Sequence, residues 1–561
     1  MKKKLALLLA VTALATSCFV GCNPDDSDDI VEEIDATKTQ LYVANYDGGV
    51  GSDWLTKLKK SFEEDYAEVS FEEGKKGAQL ILDASTANHV DSISTEIYNV
   101  IFSESVAYNQ LAASNKLLDI SDIVTETNAD GKTIESKLTD HQRRALTAVD
   151  GNYYALPHYE YYPGVTYDKV VFNKKQLYMK QGGGWTNASG KLSAGPDGKS
   201  GTLDDGLPAT HEEFFALCDQ MVKVGVTPFI YSGMYEGYMD MLLEGLMVSY
   251  LGRDQLELAF SFDSSKGGTL SGEDLVKAEI ITGWNGNAPI VEEKTITTQT
   301  GYLTSSFAGK YYALEFVEKL VKNKDKYFSE KINSVLSHID AQEEYIMSDL
   351  ENEPIGMLIE GSFWYNEAKA AFVRSVEAYG EDAEGRDFAW MPLPTKVSGS
   401  VTEANGGDFY LVDETYSYAL INANIKDDPA LVNLAKTFLQ YAYTDEKLQE
   451  FTTTSGCYKG LNYTLTKDQY DGLDNFYKSI TDLRGDGTNV VRPISDNKIY
   501  INSELNFKFM HNSSFGSHVN GKEYLVALTA MKSSGISAKD YFEGMRVTQS
   551  TWNSLYSKYF N

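Results

Sequence analysis

The chain has 561 residues, 42% of them hydrophobic and 23% charged, which excludes a wholly disordered protein and leaves apolar mass for more than one core. With 81 Asp and Glu against 50 Lys and Arg, the formal net charge is −31; nucleic acid and anionic bilayers are therefore excluded as natural partners, since both need a basic footprint. Four cysteines are too few for a disulfide scaffold, and seven scattered histidines do not make a multi-histidine metal centre.

Residues 1–22 read as a processing signal. Lys2, Lys3 and Lys4 precede an apolar run from Leu5 to Ala15, and Phe19-Val20-Gly21-Cys22 ends it with a small residue before cysteine, the pattern of a bacterial lipoprotein signal lipidated at Cys22. The run falls short of the ~20 apolar residues of a membrane-spanning helix. Cys18 is a competing cleavage point, and an ordinary cleaved secretory signal is the plainer alternative. Residues 23–38 are acidic and non-periodic, as in a solvated tether. The expected location is the extracellular face of the cell membrane, held there by lipid. Cys218 and Cys457 then remain in the folded body, Cys218 on the apolar stripe of a helix as a core thiol.

Beyond the tether, Leu41 to Tyr46 reads as a strand entering the loop Asp47-Gly48-Gly49-Val50-Gly51, after which Ser52 opens a helix with Leu55, Leu58 and Phe62 on one face. Leu80-Ile81-Leu82 and Asn99 to Phe102 are further strands. Thr210 and Glu213 form a capping box for a helix carrying Phe214, Leu217, Cys218 and Met221 and ending at Gly225. Asp428-Pro429, a cap and a first-turn proline, opens another with Leu431, Leu434, Ala435 and Phe438. Alternating strands and helices imply layered α/β lobes, and this length implies two.

Six segments in order carry a family resemblance. They are Tyr46 to Gly51; Asp150-Gly151-Asn152-Tyr153-Tyr154-Ala155-Leu156-Pro157 with Gly164-Val165-Thr166-Tyr167; Val226 to Gly233; Gly356 to Trp364; and Phe388-Ala389-Trp390-Met391-Pro392-Leu393-Pro394; the acylated leader precedes them. The chain resembles the family 1 extracellular solute-binding proteins of ABC importers from about residue 41 to 460. That resemblance implies an α/β chain of the type II periplasmic-binding-protein fold, two α/β lobes joined by a multi-strand hinge. The implied lobes are 39–160 and 401–452 for the first, 161–400 and 453–561 for the second. Crossings are expected near Glu160 to Gly164, Ser398 to Asn405 and Thr452 to Cys457. A monomer that closes on a neutral oligosaccharide and delivers it to ABC permease transmembrane subunits, with no cofactor, is the implied function.

A pyranose presents an apolar face and a rim of hydroxyls, so its site needs flat rings beside fixed donors and acceptors. His158-Tyr159-Glu160-Tyr161-Tyr162 sets rings and a carboxylate at a proposed crossing, Tyr235 and Tyr238 follow a strand, and Phe363-Trp364 opens a strand-to-helix transition. The resemblance makes Trp364 or Phe363 a sugar platform and Tyr235 a sugar contact. Asp47 sits at the end of the first strand, where open α/β sheets bind ligands, and capping its own turn is the alternative role. Glu104 and Tyr108 follow a later strand; Asn405 and Asp408 bracket Gly406-Gly407. Each ring has core packing as its competing role.

The loop from Gly195 to Gly206 offers Asp197, Asp204 and Asp205 as calcium ligands, but Lys199 and Gly201 break EF-hand spacing, and no metal is assigned. A glycosidase or lyase built on paired carboxylates, and a surface glycan adhesin, are the rival classes. Neither a Gly-x-Ser-x-Gly elbow, a zinc-protease helix nor a phosphate loop is present, so no enzyme is expected.

Overall fold

The computed structural model describes residues 33–83, 85, 87–397, 409–413, 417–494 and 517–560. The signal, Cys22, most of the tether, Asn405, Asp408 and the expected crossing at 398–405 lie outside the described residues. The strands that build the site are, in chain order, β1 (Thr39–Asn45), β2 (Ala78–Asp83), β3 (Val100–Ser103), β4 (Ala155–Pro157), β5 (Pro163–Asp168), β6 (Thr227–Ile230), β7 (Ile355–Gly361), β8 (Phe388–Trp390) and β9 (Tyr418–Ile421). They form two sheets, ordered β2-β1-β3-β9-β4 and β8-β5-β7-β6. In the first, β1 runs parallel to β2 and β3 while β9 is antiparallel to β3 and β4. In the second, β6 and β7 are parallel and β5 is antiparallel to both β7 and β8.

Local signals set the helices. Thr210 and Glu213 exchange the two hydrogen bonds of a capping box at the start of α1 (His211–Lys223), and Gly225 follows its end at φ +77°. Asp428 caps α2 (Pro429–Ala442) through the Leu431 amide, and Leu434, Ala435 and Phe438 are buried along one face. Ser52 precedes the helix Asp53–Asp65 as expected, but without a side-chain capping bond.

The second sheet is covered on both faces. From Met357 to Ile359 the β7 side chains alternate, Met357 and Ile359 into one core and Leu358 into another that also holds Ile355, Trp364, Phe388 and Trp390. Burial on both sides explains why the strand reads as an apolar run rather than an alternating one.

The chain leaves the first sheet at Pro157 and enters the second at Pro163. It returns between Val412, packed in a second-sheet core, and Tyr418 of β9. Cys457, Tyr458, Leu461 and Tyr463 still pack in the first core, whereas Phe476, Ile480 and Leu483 pack beside Trp390. The last passage therefore lies between Tyr463 and Phe476, later than the Thr452 to Cys457 expectation, because the segment after the helix Asp445–Ser455 doubles back along Tyr159 before leaving.

Glu160 stands on the first passage and is fully buried. One carboxylate oxygen accepts from Arg484 Nε at 2.9 Å and the Tyr162 hydroxyl at 2.6 Å; the other accepts from Arg492 Nε at 2.7 Å. Burial by itself would raise this carboxyl, but the two guanidiniums and the Tyr162 hydroxyl outweigh it and hold it below the ordinary carboxylate range. Glu160 is thus a structural ion partner and not the ligand-binding residue expected from sequence. Replacing it leaves two buried guanidiniums unpaired, so Glu160→Gln is expected to destabilise the chain by about 3–5 kcal/mol. Urea unfolding of the full chain checks this; an unchanged midpoint would remove Glu160 from the framework.

Candidate functional site

The carboxyl ends of the parallel pairs β1/β3 and β6/β7 face each other across the two lobes, the place where open α/β sheets present loops to ligands. On the first lobe, β1 runs into Tyr46 and the Asp47 loop. Asp47 Oδ1 accepts from the amides of Gly49 at 3.2 Å and Gly51 at 3.0 Å, so this carboxylate shapes its own turn. Gly49 and Gly51 sit at φ +99° and +77°, a conformation that favours glycine. Past β3, Glu104 accepts hydrogen bonds from the Tyr159 and Tyr46 hydroxyls. Burial pushes the Glu104 carboxyl up, and the two phenols offset only part of the shift.

On the second lobe, Phe363 follows β7 half-buried, its ring 5.4 Å from that of Tyr161. A β-carbon placed on Gly49 would lie 2.8 Å from the Phe363 ring, which shows how closely the lobes meet there. Tyr235, 50% exposed, and Tyr238 lie past β6 with rings 6.4 Å apart, and each is 5.9 Å from the His338 ring. Behind them Gln342 Nε2 donates to Glu360 at 3.0 Å and to Glu367 at 2.6 Å, and His338 Nε2 is 3.3 Å from Glu367. Glu360 is wholly buried, and burial, then the nearby Glu367, pushes its carboxyl well above the ordinary range.

Asp47, Glu104, Tyr161, Phe363 and the Tyr159 hydroxyl are therefore gathered at one cleft, with Tyr235 and Tyr238 along its second-lobe side. Three expectations are corrected. Trp364 is 0% exposed, packed edge-on against Tyr345, Tyr365, Phe388 and Phe476, so it is core and not a platform. Tyr108 is buried in the first core, stacked on Tyr418 with its hydroxyl on the Leu146 carbonyl. Glu160 belongs to the hinge ion cluster, and the Tyr159 ring is likewise buried. Tyr46, His338, Gln342, Glu360, Asn366 and Glu367 escaped the sequence reading; a single acid inside the apolar run Ile355 to Gly361 was the available signal for Glu360.

The Gly195 to Gly206 loop closes on itself. Asp204 accepts from the Asp197 amide at 2.8 Å and the Thr202 hydroxyl at 2.7 Å, and Asp205 from the Gly201 amide at 2.7 Å. Among the described residues no group of three or more His, Cys, Asp or Glu is placed to hold a metal, and no helix is long and apolar enough to cross a membrane. Cys218 and Cys457 are both buried and unpaired.

No family model and no curated protein matches the sequence. Solved structures do match. A chitin oligosaccharide binding protein superposes over 93% of this chain and 99% of its own, at 14% identity and TM-score 0.51. A protein described for xylan utilization by Caldanaerobius polysaccharolyticus covers 90% of this chain and 99% of its own, at 13% and 0.52. This is the solute-binding-protein fold. The solute-binding protein RafE in complex with raffinose adds a third match, over 92% of this chain and 100% of its own, at 12% and 0.51. The expected type II architecture of two α/β lobes is therefore the observed one.

Two outcomes follow from the site. Trp364→Ala is expected to cost about 3–5 kcal/mol of stability, because it empties a core position; a chemical denaturation series reads it, and an unchanged midpoint would return Trp364 to the surface. The hydrogen bond that His338 Nε2 donates to the Glu367 carboxylate raises His338 above its ordinary 6.5. A raised value means the pair's contribution is complete below about pH 6.5 and is lost as pH climbs through the folded-state value. NMR titration of His338 should show the elevation and Glu367→Gln should abolish it.

Proposed function

We propose that this protein is a lipid-anchored extracellular receptor of an ABC importer, which captures a neutral oligosaccharide between its lobes and passes it to the permease. The reading rests on the cleft's chemistry. Ring faces at Tyr161, Phe363, Tyr235 and Tyr238 are gathered with Glu104, and Glu360 is buried behind them; burial raises both carboxyls, and no cation is among the groups acting on them. Such a lining suits the apolar face and hydroxyl rim of a sugar and disfavours an anionic ligand. The matched folds include a chitin oligosaccharide binding protein and RafE in complex with raffinose. Capture without turnover is the function proposed, since the buried Glu360–Gln342–Glu367 chain is held by side-chain amide bonds within one lobe.

Chitotriose, xylotriose and raffinose provide the test. A ligand at about 100 times its dissociation constant adds ~2.7 kcal/mol, which reads as a raised melting temperature. Affinity should be nearly constant between low and high ionic strength, because a neutral ligand makes few screened contacts; steep salt dependence would overturn the neutral-sugar reading. New reducing ends on long incubation would support a hydrolase instead. Cys22→Ala should move the protein from the membrane to the soluble fraction of expressing cells, and retention would overturn the anchor.

A further inference from the structure

Three residues past Phe363, in the turn Trp364–Glu367, Asn366 crosses between the lobes. Its Nδ2 donates to the Gly49 carbonyl at 2.8 Å, joining positions 317 residues apart. Asn366 is 6% exposed, and its Oδ1 is buried with no hydrogen-bond donor. The side chain is fixed locally, because the Asn366 amide bonds the Phe363 carbonyl at 3.0 Å, in the same turn that sets the Phe363 ring against Gly49. Farther out, Lys369 and Asp53 approach to 3.6 Å, but both are largely exposed and such a pair is weak.

We propose that Asn366 is the latch of lobe closure, with Nδ2 tying the lobes at Gly49 and Oδ1 reserved for a hydroxyl of the bound ligand. The inference rests on the sugar-receptor reading for the identity of that hydroxyl, and on geometry alone for the tie. A buried acceptor without a donor disfavours the empty closed form. A ligand hydroxyl that satisfies it interacts only when the lobes are shut, which is the differential affinity a population shift requires. Closure is thereby linked to a hydrogen-bond donor on the ligand and not to apolar contact alone.

The test combines calorimetry with small-angle scattering on the full chain, using chitotriose, xylotriose and raffinose as probes. Asn366→Ala removes both groups, and Asn366→Asp keeps the acceptor but sets a carboxylate against the Gly49 carbonyl. Gly49→Ala drives a methyl group into the Phe363 ring beside that contact and so pushes the two lobes apart from the other side, and circular dichroism of each unliganded variant establishes folding. The expected result is at least a tenfold loss of affinity in all three, with the ligand-induced fall in radius of gyration diminished. The Gly49→Ala/Asn366→Ala double variant should lose less than the sum of the two single losses, since the ring and the carboxamide meet the same residue of the first lobe. Wild-type affinity and compaction in the Asn366 variants would overturn the latch and leave the sugar reading standing. If no probe binds the wild type, the sugar reading fails and the unliganded radius decides the latch: a larger radius in Asn366→Ala supports it, and an equal one overturns it.

Discussion

Two guanidiniums converging on one buried carboxylate hold the lobes in a common frame. Glu160 lies on the first passage between the sheets, Arg484 ends the helix Asn475–Arg484 just past the last passage, and Arg492 follows the strand Val490–Val491, which pairs with Leu411–Val412 at the middle passage. One carboxylate on the first passage thus binds residues that adjoin the other two. Isolated charges at this depth would be prohibitive, yet each is answered: Arg484 also donates to the Leu461 and Tyr463 carbonyls and lies 4.0 Å from the Tyr458 ring. The cluster thus ties the first passage to the helix and strand that adjoin the other two, while each lobe keeps a core of its own.

The same residue type does opposite work at different places in the fold. Glu160 has two cations and stays ionised, whereas Glu104 and Glu360 have phenol, amide and backbone donors only, so burial drives them toward the neutral acid. Sequence alone could not sort them. Glu104 was a candidate because it follows a strand and Glu160 because it lies among rings at a proposed crossing, while the partners that decide the role of Glu160 arrive 324 and 332 positions after it. Charge state here is a property of long-range packing.

Local chemistry was far more legible. The Thr210–Glu213 box and the Asp428-Pro429 start each place their own hydrogen bonds within one turn, and both helices begin where those residues say. The positions of Asp47 and Glu104 followed from strand ends, which topology alone brings to a cleft. Trp364 shows the limit of composition. Phe363 and Trp364 are adjacent rings at the same transition, but the chain is turning into a helix, so neighbouring side chains diverge: Phe363 packs toward the first lobe and Trp364 into the core of the second. A count of aromatics cannot tell which of two successive rings faces the other lobe. His338 and Gln342 were missed because they lie one turn apart on a helix that follows no strand end and no run of aromatic residues, the two signals that singled out candidates.

Closure brings together constraints written in both lobes. Gly49 must be glycine twice over, once for its φ of +99° and again because Phe363 occupies the space a β-carbon would fill. The Asp47 carboxylate holds the turn that creates this bare stretch of backbone, and the ring and carboxamide that meet it are displayed by a single turn after β7. An apolar ring over a peptide excludes water, and the carboxamide beside it fixes register, so the contact has both the driving force and the direction of a specific interface. Neither lobe can make that contact alone, and neither stretch of sequence carries a sign of the other. The cleft is therefore specified at a distance, by two short loops that acquire meaning only when the hinge sets them face to face.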